Sequence, residues 1–292
     1  MTNVLATKAV LASLNISLWT ARKYDKKISE DTNQRHNAEK DAGRYNKLLI
    51  AKNRVDTMLK KAVNTRAFHY EITQPWLDAG PRLLATANYM KHADAIRKDK
   101  MEFDALADQF ALDYPAMVEE AKKRLNGMFD ANDYPSPASI RSRFSFDIKY
   151  LPCPDSSDFR VSLSKEIMEE MKSDVETRLQ DALENAMRDA RDRVIKIVGH
   201  MAEKLTAYKP GAEGIRAEGT FHDSLVQNVR DLADLLPSFN LTGDKKFTKI
   251  IDRITKQLCE VEAKELRENE AERLNVAKQA ASILAEVEKF MA

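Results

Sequence analysis

One stretch constrains the fold of this chain more than any other: RSRFSFDIKYLPCPDSSDFRVSL, Arg141 to Leu163. Phe144, Phe146, Ile148 and Tyr150 alternate with polar residues, and so do Phe159, Val161 and Leu163. A period of two is that of half-buried strands. Leu14, Ile16 and Leu18 alternate in the same way with Asn15, Ser17 and Trp19. An isolated hairpin is marginal in water, so a third strand is needed. The sequence therefore predicts a small antiparallel β-hairpin or three-stranded sheet at about 14–19, 144–150 and 159–163. Everything around it follows the helical period, so the fold class is mainly α.

Composition supports that class. Only 8 of the 292 residues are glycine, while 32% are charged. Few glycines argue against sandwiches and barrels, which need many tight turns. The two cysteines, Cys153 and Cys259, make neither a disulfide framework nor a zinc pattern, and read as free thiols of a reducing compartment. No run of 18 apolar residues occurs, so no membrane span is expected. The N-terminal VLATKAVLASL carries a lysine and lacks a preceding basic stretch, which argues against a secretory signal.

The helical segments differ in period. Tyr45–Ala67 carries the stripe Leu48, Leu49, Val55, Met58, Leu59 and Val63. Pro75 suits a first helical turn, Gly80-Pro81 a stop and restart, and a helix is expected from Pro81 to Asn126, broken or kinked at Pro115. From Ser164 a long helix presents Met171, Val175, Leu179, Ala182, Ala186, Ala190, Val194, Ile197, Met201 and Leu205 on one face, closer to an 11-residue than a heptad repeat. KPGAEGIRAEG, Lys209–Gly219, reads as a linker. The expected organisation is a helical domain at 1–208 with a β-hairpin tip, the linker at 209–219, and a helical segment at 220–292. In that last segment a helix from Thr220 ends at Pro237, and Asp244 caps the final helix.

That final helix reads as a coiled coil. Phe247, Ile251, Ile254, Leu258 and Val261 step by heptad spacing, and Val276, Ala280, Ile283, Val287 and Phe290 repeat it. These ten residues are the candidate oligomer interface, pairing within the chain or between subunits. The two stretches lie 15 residues apart rather than 14, so the register slips once.

Charge is asymmetric. The chain carries +1 overall, yet residues 1–66 hold fourteen Lys and Arg against six Asp and Glu. Arg22, Lys23, Lys26 and Lys27, together with Arg141 and Arg143 beside Phe144 and Phe146, form the candidate nucleic-acid contacts. The competing readings are a solvated helix face and inward-facing phenylalanines.

No standard site chemistry emerges. Phosphate-binding glycine loops, HExxH and paired CxxC are absent. His222-Asp223-Ser224 has triad residue types, but triad side chains converge from separate elements rather than sit in sequence. His69, Glu71 and Trp76 read as an aromatic cluster, and Asp155 and Asp158 as turn chemistry. No catalytic residue, metal or cofactor is assigned, and the chain is expected not to be an enzyme.

The stretches NISLWTARK, DAGRYNKLLI, FHYEITQPWLDAGPRLL, DYPSPASIRSRFSFDIKYLPCPDSSDFRV and FHDSLVQNVRDLADLLP resemble a family of bacteriophages and integrative mobile elements, a domain of unknown function, over about residues 10–240. The resemblance implies an encoded neighbourhood containing a cobaltochelatase- or MoxR-type AAA+ ATPase and a von Willebrand A-domain protein, and the cytoplasm of a bacterial host. The expected function is a non-enzymatic interaction protein, an oligomeric adaptor or accessory factor for the ATPase. The alternatives are a nucleic-acid-binding accessory protein in replication, recombination or counter-defence, and a virion or assembly-scaffold protein.

Overall fold

The computed structural model describes residues 4–77, 80–154, 165–211 and 216–290. They form a mainly α fold with a small sheet. In chain order the elements are α1 (Val4–Lys8), β1 (Ala9–Ser17), β2 (Arg22–Tyr24), α2 (Lys26–Arg35), β3 (Asn46–Leu48), α3 (Lys52–Ile72), β4 (Gln74–Pro75) and β5 (Arg82–Ala85). Then follow α4 (Tyr89–Leu125), α5 (Pro137–Ile140), β6 (Ser145–Pro152), α6 (Lys165–Ala207), α7 (Ser224–Phe239), α8 (Lys245–Leu258), α9 (Ala263–Glu268) and α10 (Glu270–Glu288).

The sheet has the order β4-β5-β1-β6, and β2 and β3 pair separately. The alternating segments around Ile16 and Phe146 are thus neighbouring strands, as expected. The third strand expected at 159–163 lies outside the described residues, as do Asp155 and Asp158. Two strands of the four-stranded sheet went unread, as did the β2–β3 pair. β5 lies antiparallel to β1, with Leu11 opposite Leu83 and Ala9 opposite Ala85, where a helix from Pro81 was expected. Leu83 and Leu84 are both fully buried, and an apolar run without alternation has no distinguishing period. Pro75 falls in β4, an edge strand where its missing N–H costs no ladder bond, rather than in a helix.

The chain divides into two compact units, 1–12 with 71–90 and 150–292, and 13–70 with 91–149. This replaces the expected boundary at 209–219, because helices on both sides of that segment belong to one unit. Lys209 and Glu218 instead form an antiparallel bridge, with N–H···O distances of 3.0 and 3.1 Å.

In the first unit α6 packs on α10, α7 and β4, and α8 packs on α7 and α10. Ala182, Ala186, Ala190, Val194, Val198, Met201 and Leu205 are buried along α6, close to the expected face. Gln74 donates to the Ala186 carbonyl at 2.7 Å, tying β4 to that helix. Asp244 caps α8 by accepting from the backbone N–H of Lys246 and Phe247. Pro237 does not end α7, whose last turn runs on to Phe239.

The expected single coiled-coil helix is three helices. α8 and α10 run antiparallel: Phe247 stacks on Phe290 with centroids 5.2 Å apart, and Arg253 reaches Glu286 at 2.6 Å. The break explains the one-residue slip. Arg230 holds it by donating to the carbonyls of Cys259 (2.8 Å) and Val261 (2.9 Å), which the end of α8 leaves unpaired.

In the second unit the core gathers Ile16, Ile50, Met58, Ile96, Phe103, Phe110, Tyr114, Phe144 and Phe146. α4 runs through Pro115 without the break that was one of the two expected outcomes there. The neighbouring Tyr114 is fully buried and donates to the Pro135 carbonyl at 3.0 Å, so packing offsets the lost backbone bond.

Candidate functional site

Within the second unit the chain leaves β1 through Leu18, Trp19, Thr20 and Ala21. Ala21 is buried with φ at 50°, a conformation that costs a residue with a Cβ. Its carbonyl accepts from Leu49 N–H at 2.8 Å, which anchors this bend to the end of β3. Beside the bend is a pocket of about 300 Å³. Leu18, Trp19, Ala21, Leu48, Ile50, Val55, Met58, Leu59, Phe110 and Phe144 make its apolar wall. Thr20, Arg22, Lys52 and Asp56 supply its polar groups.

Trp19 is fixed edge-on by Phe110 and Tyr114, at centroid distances of 6.3 and 5.7 Å. Its indole N–H has no hydrogen-bond partner among the described residues. Arg22, Lys52 and Asp56 likewise form no ion pair there. An apolar cleft with a rigid aromatic wall and charged residues at its margin has the general form of a binding pocket.

The two groups of candidate nucleic-acid residues differ: Arg22, Lys23, Lys26 and Lys27 are exposed on β2 and the start of α2, while Arg141 and Arg143 have no stacking surface beside them. Arg22 is at the pocket and Lys23 is 3.9 Å from the Asp133 carboxylate. Lys26 is paired with Glu30 across one helical turn at 3.8 Å, and Lys27 is exposed in the first turn of α2. Arg141 is committed to Asp108 at 2.5 Å and Asp104 at 3.0 Å, and these hydrogen bonds hold its pKa above the ordinary arginine value. Arg143 is exposed, but Phe144 and Phe146 are buried, so no stacking surface accompanies it.

The candidate oligomer interface is internal. Phe247, Ile251, Ile254, Leu258, Val276, Ala280, Ile283, Val287 and Phe290 are buried within one chain, and Val261 is half-buried. The heptads therefore pack as an intrachain helix pair, one of the two alternatives the sequence left open.

Two buried polar clusters stand in the same unit. Lys47 lies 2.7 Å from Asp133 and 3.3 Å from Asp25, and its ammonium also donates to the Met128 carbonyl at 3.0 Å. Burial alone would lower its pKa, but the two carboxylates outweigh that and raise it. Asp25 is held below its usual pKa by the Ile28 N–H at the cap of α2, against the cost of burial and with help from Lys47. His69 Nδ1 and His92 Nε2 are 3.0 Å apart between α3 and α4. Burial pushes His92 down to about 4, so it is neutral near pH 7. Trp76 belongs to the other unit, so the cluster expected around His69 is instead a histidine pair with Phe68 stacked on His92. These clusters have their charges or hydrogen bonds satisfied locally and read as structural.

Sequence reasoning missed the pocket. Trp19 was read only as the polar-phase partner of an alternating strand. Leu59 and Val63 were read as core, yet they are 47% and 51% exposed. The buried face of α3 is Met58, Ala62, Thr65, His69 and Ile72, two of them polar. Leu49 and Met58 of the expected stripe are buried and Val55 packs against the core, but Leu59 and Val63 fall outside it because Thr65 and His69 take buried positions.

Among the described residues no helix is long and apolar enough to cross a membrane. Comparison of the chain with protein-family models, curated proteins and solved structures finds no match.

Proposed function

We propose that this chain is a non-enzymatic interaction protein, an adaptor or accessory factor whose second unit receives a protein partner. The observation that carries this reading is the Trp19 pocket. Its walls are apolar, its aromatic is rigidly braced, and Arg22, Lys52 and Asp56 at its margin form no ion pair among the described residues. Buried aromatic anchors surrounded by a polar rim are what protein interfaces use. The positive φ of Ala21 places backbone strain at the same spot, as binding sites commonly do.

The sequence resemblance suggests a AAA+ ATPase as the partner, with a von Willebrand A-domain protein as a further member of the assembly. The phage or mobile-element origin and the bacterial cytoplasm belong to the same reading. The test is co-purification of the chain with the ATPase encoded near it, with and without ATP. Retention of a nucleotide-sensitive complex supports the reading. Failure to associate in either state removes the ATPase from it.

A second reading is favoured by one observation. Lys26 and Lys27 occupy the first turn of α2, where the helix dipole favours anions rather than cations. With exposed Arg22 and Lys23 they leave a positive face suited to a phosphate backbone. Binding of an oligonucleotide that weakens steeply with salt, and is lost when all four residues become alanine, would support it. Unchanged binding in that variant would remove this face.

A further inference from the structure

The Trp19 pocket does not end at its own walls. Val55 and Leu59 line it, and both belong to α3. Along the same helix Val63 and Tyr70 are 51% and 56% exposed. Residues three, four and seven apart share a helical face. The pocket thus opens onto a stripe extending from Val55 to Tyr70, about 22 Å at 1.5 Å per residue, apolar except for Arg66, whose guanidinium is turned to the Ile16 carbonyl.

We propose that the pocket and this stripe form one groove for an acidic, amphipathic helix of a protein partner, with one apolar side chain of that helix seated beside Trp19. The proposal rests on the interaction-protein reading above and names the chemistry of the segment that docks.

Charge decides the partner's sign. Arg22 and Lys52 line the pocket, Lys60 is exposed next to Leu59 in sequence, and none of the three forms an ion pair among the described residues. Asp56 is the acidic residue lining the pocket. Carboxylates flanking the incoming apolar residues would meet that excess of positive charge. The same charges disfavour a second copy of this chain, since a two-fold contact places each basic patch against its own image.

Size decides the anchor. A space of about 300 Å³ is at the lower limit of pockets that enclose a drug-sized ligand, and suits a large side chain delivered by a longer segment. The exposed helical face decides the conformation. Ridges of one helix pack into the grooves of another, and anchors at i, i+4 and i+7 would follow the stripe.

The test uses the full chain and a fluorescein-labelled 20-residue peptide with leucines at i, i+4, i+7 and i+11 and glutamates flanking them. Two controls accompany it: a shuffled peptide of the same composition, and one with lysines in place of the glutamates. Anisotropy is expected to show the acidic amphipathic peptide binding at least tenfold tighter than either control. The double substitution Leu59→Asp with Val63→Asp should weaken it tenfold or more. Both positions are exposed, so an unchanged thermal melt is expected. The charge reversal Lys52→Glu with Lys60→Glu should transfer the preference to the lysine peptide, which a folding defect cannot do.

Equal binding of all three peptides would overturn the proposal, as would binding that ignores both double variants. A dimer that dissolves with Leu59→Asp and Val63→Asp would overturn it by assigning the groove to a second copy. Displacement of the peptide by a single-stranded oligonucleotide whose binding needs Leu59 and Val63 would assign it to nucleic acid instead. If the peptide fails while the ATPase complex forms, only this inference falls. If the peptide binds while no ATPase complex forms, only the ATPase partnership falls.

Discussion

Lys47 shows how single residues hold the second unit. Its ammonium is almost wholly buried between Asp25 and Asp133. Its raised pKa means that this stabilisation is complete below the unfolded value near pH 10.4 and is lost as pH rises through the folded one. The lowered pKa of Asp25 works at the other end: its contribution is present above about pH 3.9 and lost as pH falls through the folded value. Lys47→Met leaves two carboxylates facing each other and should cost about 3 kcal/mol by urea denaturation at pH 7, with a flatter alkaline limb. His92 has the opposite logic to Lys47. Its pKa is depressed to about 4, so the folded state loses stability as pH falls from about 6.5 towards 4. Urea midpoints measured across that window should fall for the native chain and fall less for His92→Leu. Gly219 has φ at 62°, and a Cβ there would be 2.4 Å from the Ala207 carbonyl oxygen. Gly219→Ala should therefore cost roughly 1–3 kcal/mol in the same assay. None of these three roles was legible in the sequence, because each depends on partners distant along the chain or on a backbone angle.

At the scale of elements, legibility followed periodicity. The alternation around Phe146 and Ile16 gave two strands, and the run from Ala182 to Leu205 gave the buried face of α6. β5 escaped because Leu83 and Leu84 are both buried, which erases alternation. The heptads were read correctly as an apolar face, but heptads alone do not say which helix lies opposite. Here α8 and α10 face each other within one chain and bury Phe247, Ile254 and Ile283 completely. Phe247→Ala should lower stability by about 3–5 kcal/mol, since it removes an aromatic ring stacked on Phe290. Ile254→Lys combined with Ile283→Lys should unfold the first unit, seen as loss of its cooperative melt. A folded protein whose only change is a smaller oligomer would contradict the intrachain pairing. α3 is the instructive failure. Thr65 and His69 occupy its buried face, while Leu59 and Val63 stand in solvent, so hydrophobicity pointed to the wrong side. A helix that leaves Leu59, Val63 and Tyr70 in solvent while burying Thr65 and His69 has a use for those outer apolar residues.

For the whole molecule, two compact units are woven from one chain that passes between them four times. The expected linear division missed this because a composition shift marks a loop, not which helices share a core. Lys209–Gly219 is rich in turn residues, yet the helices flanking it belong to one unit. The residues lining the pocket are likewise scattered in sequence: Trp19, Arg22, Lys52, Leu59, Phe110 and Phe144 meet only in the fold. Light scattering tests the central claim most directly. The mass of the native chain and of the Leu59→Asp, Val63→Asp variant would be measured alone and with the AAA+ ATPase proposed as its partner. The account predicts that the native chain shifts to the mass of a complex and that the equally folded variant does not. A complex formed equally by both would contradict a partner surface at the Trp19 pocket and the outer face of α3.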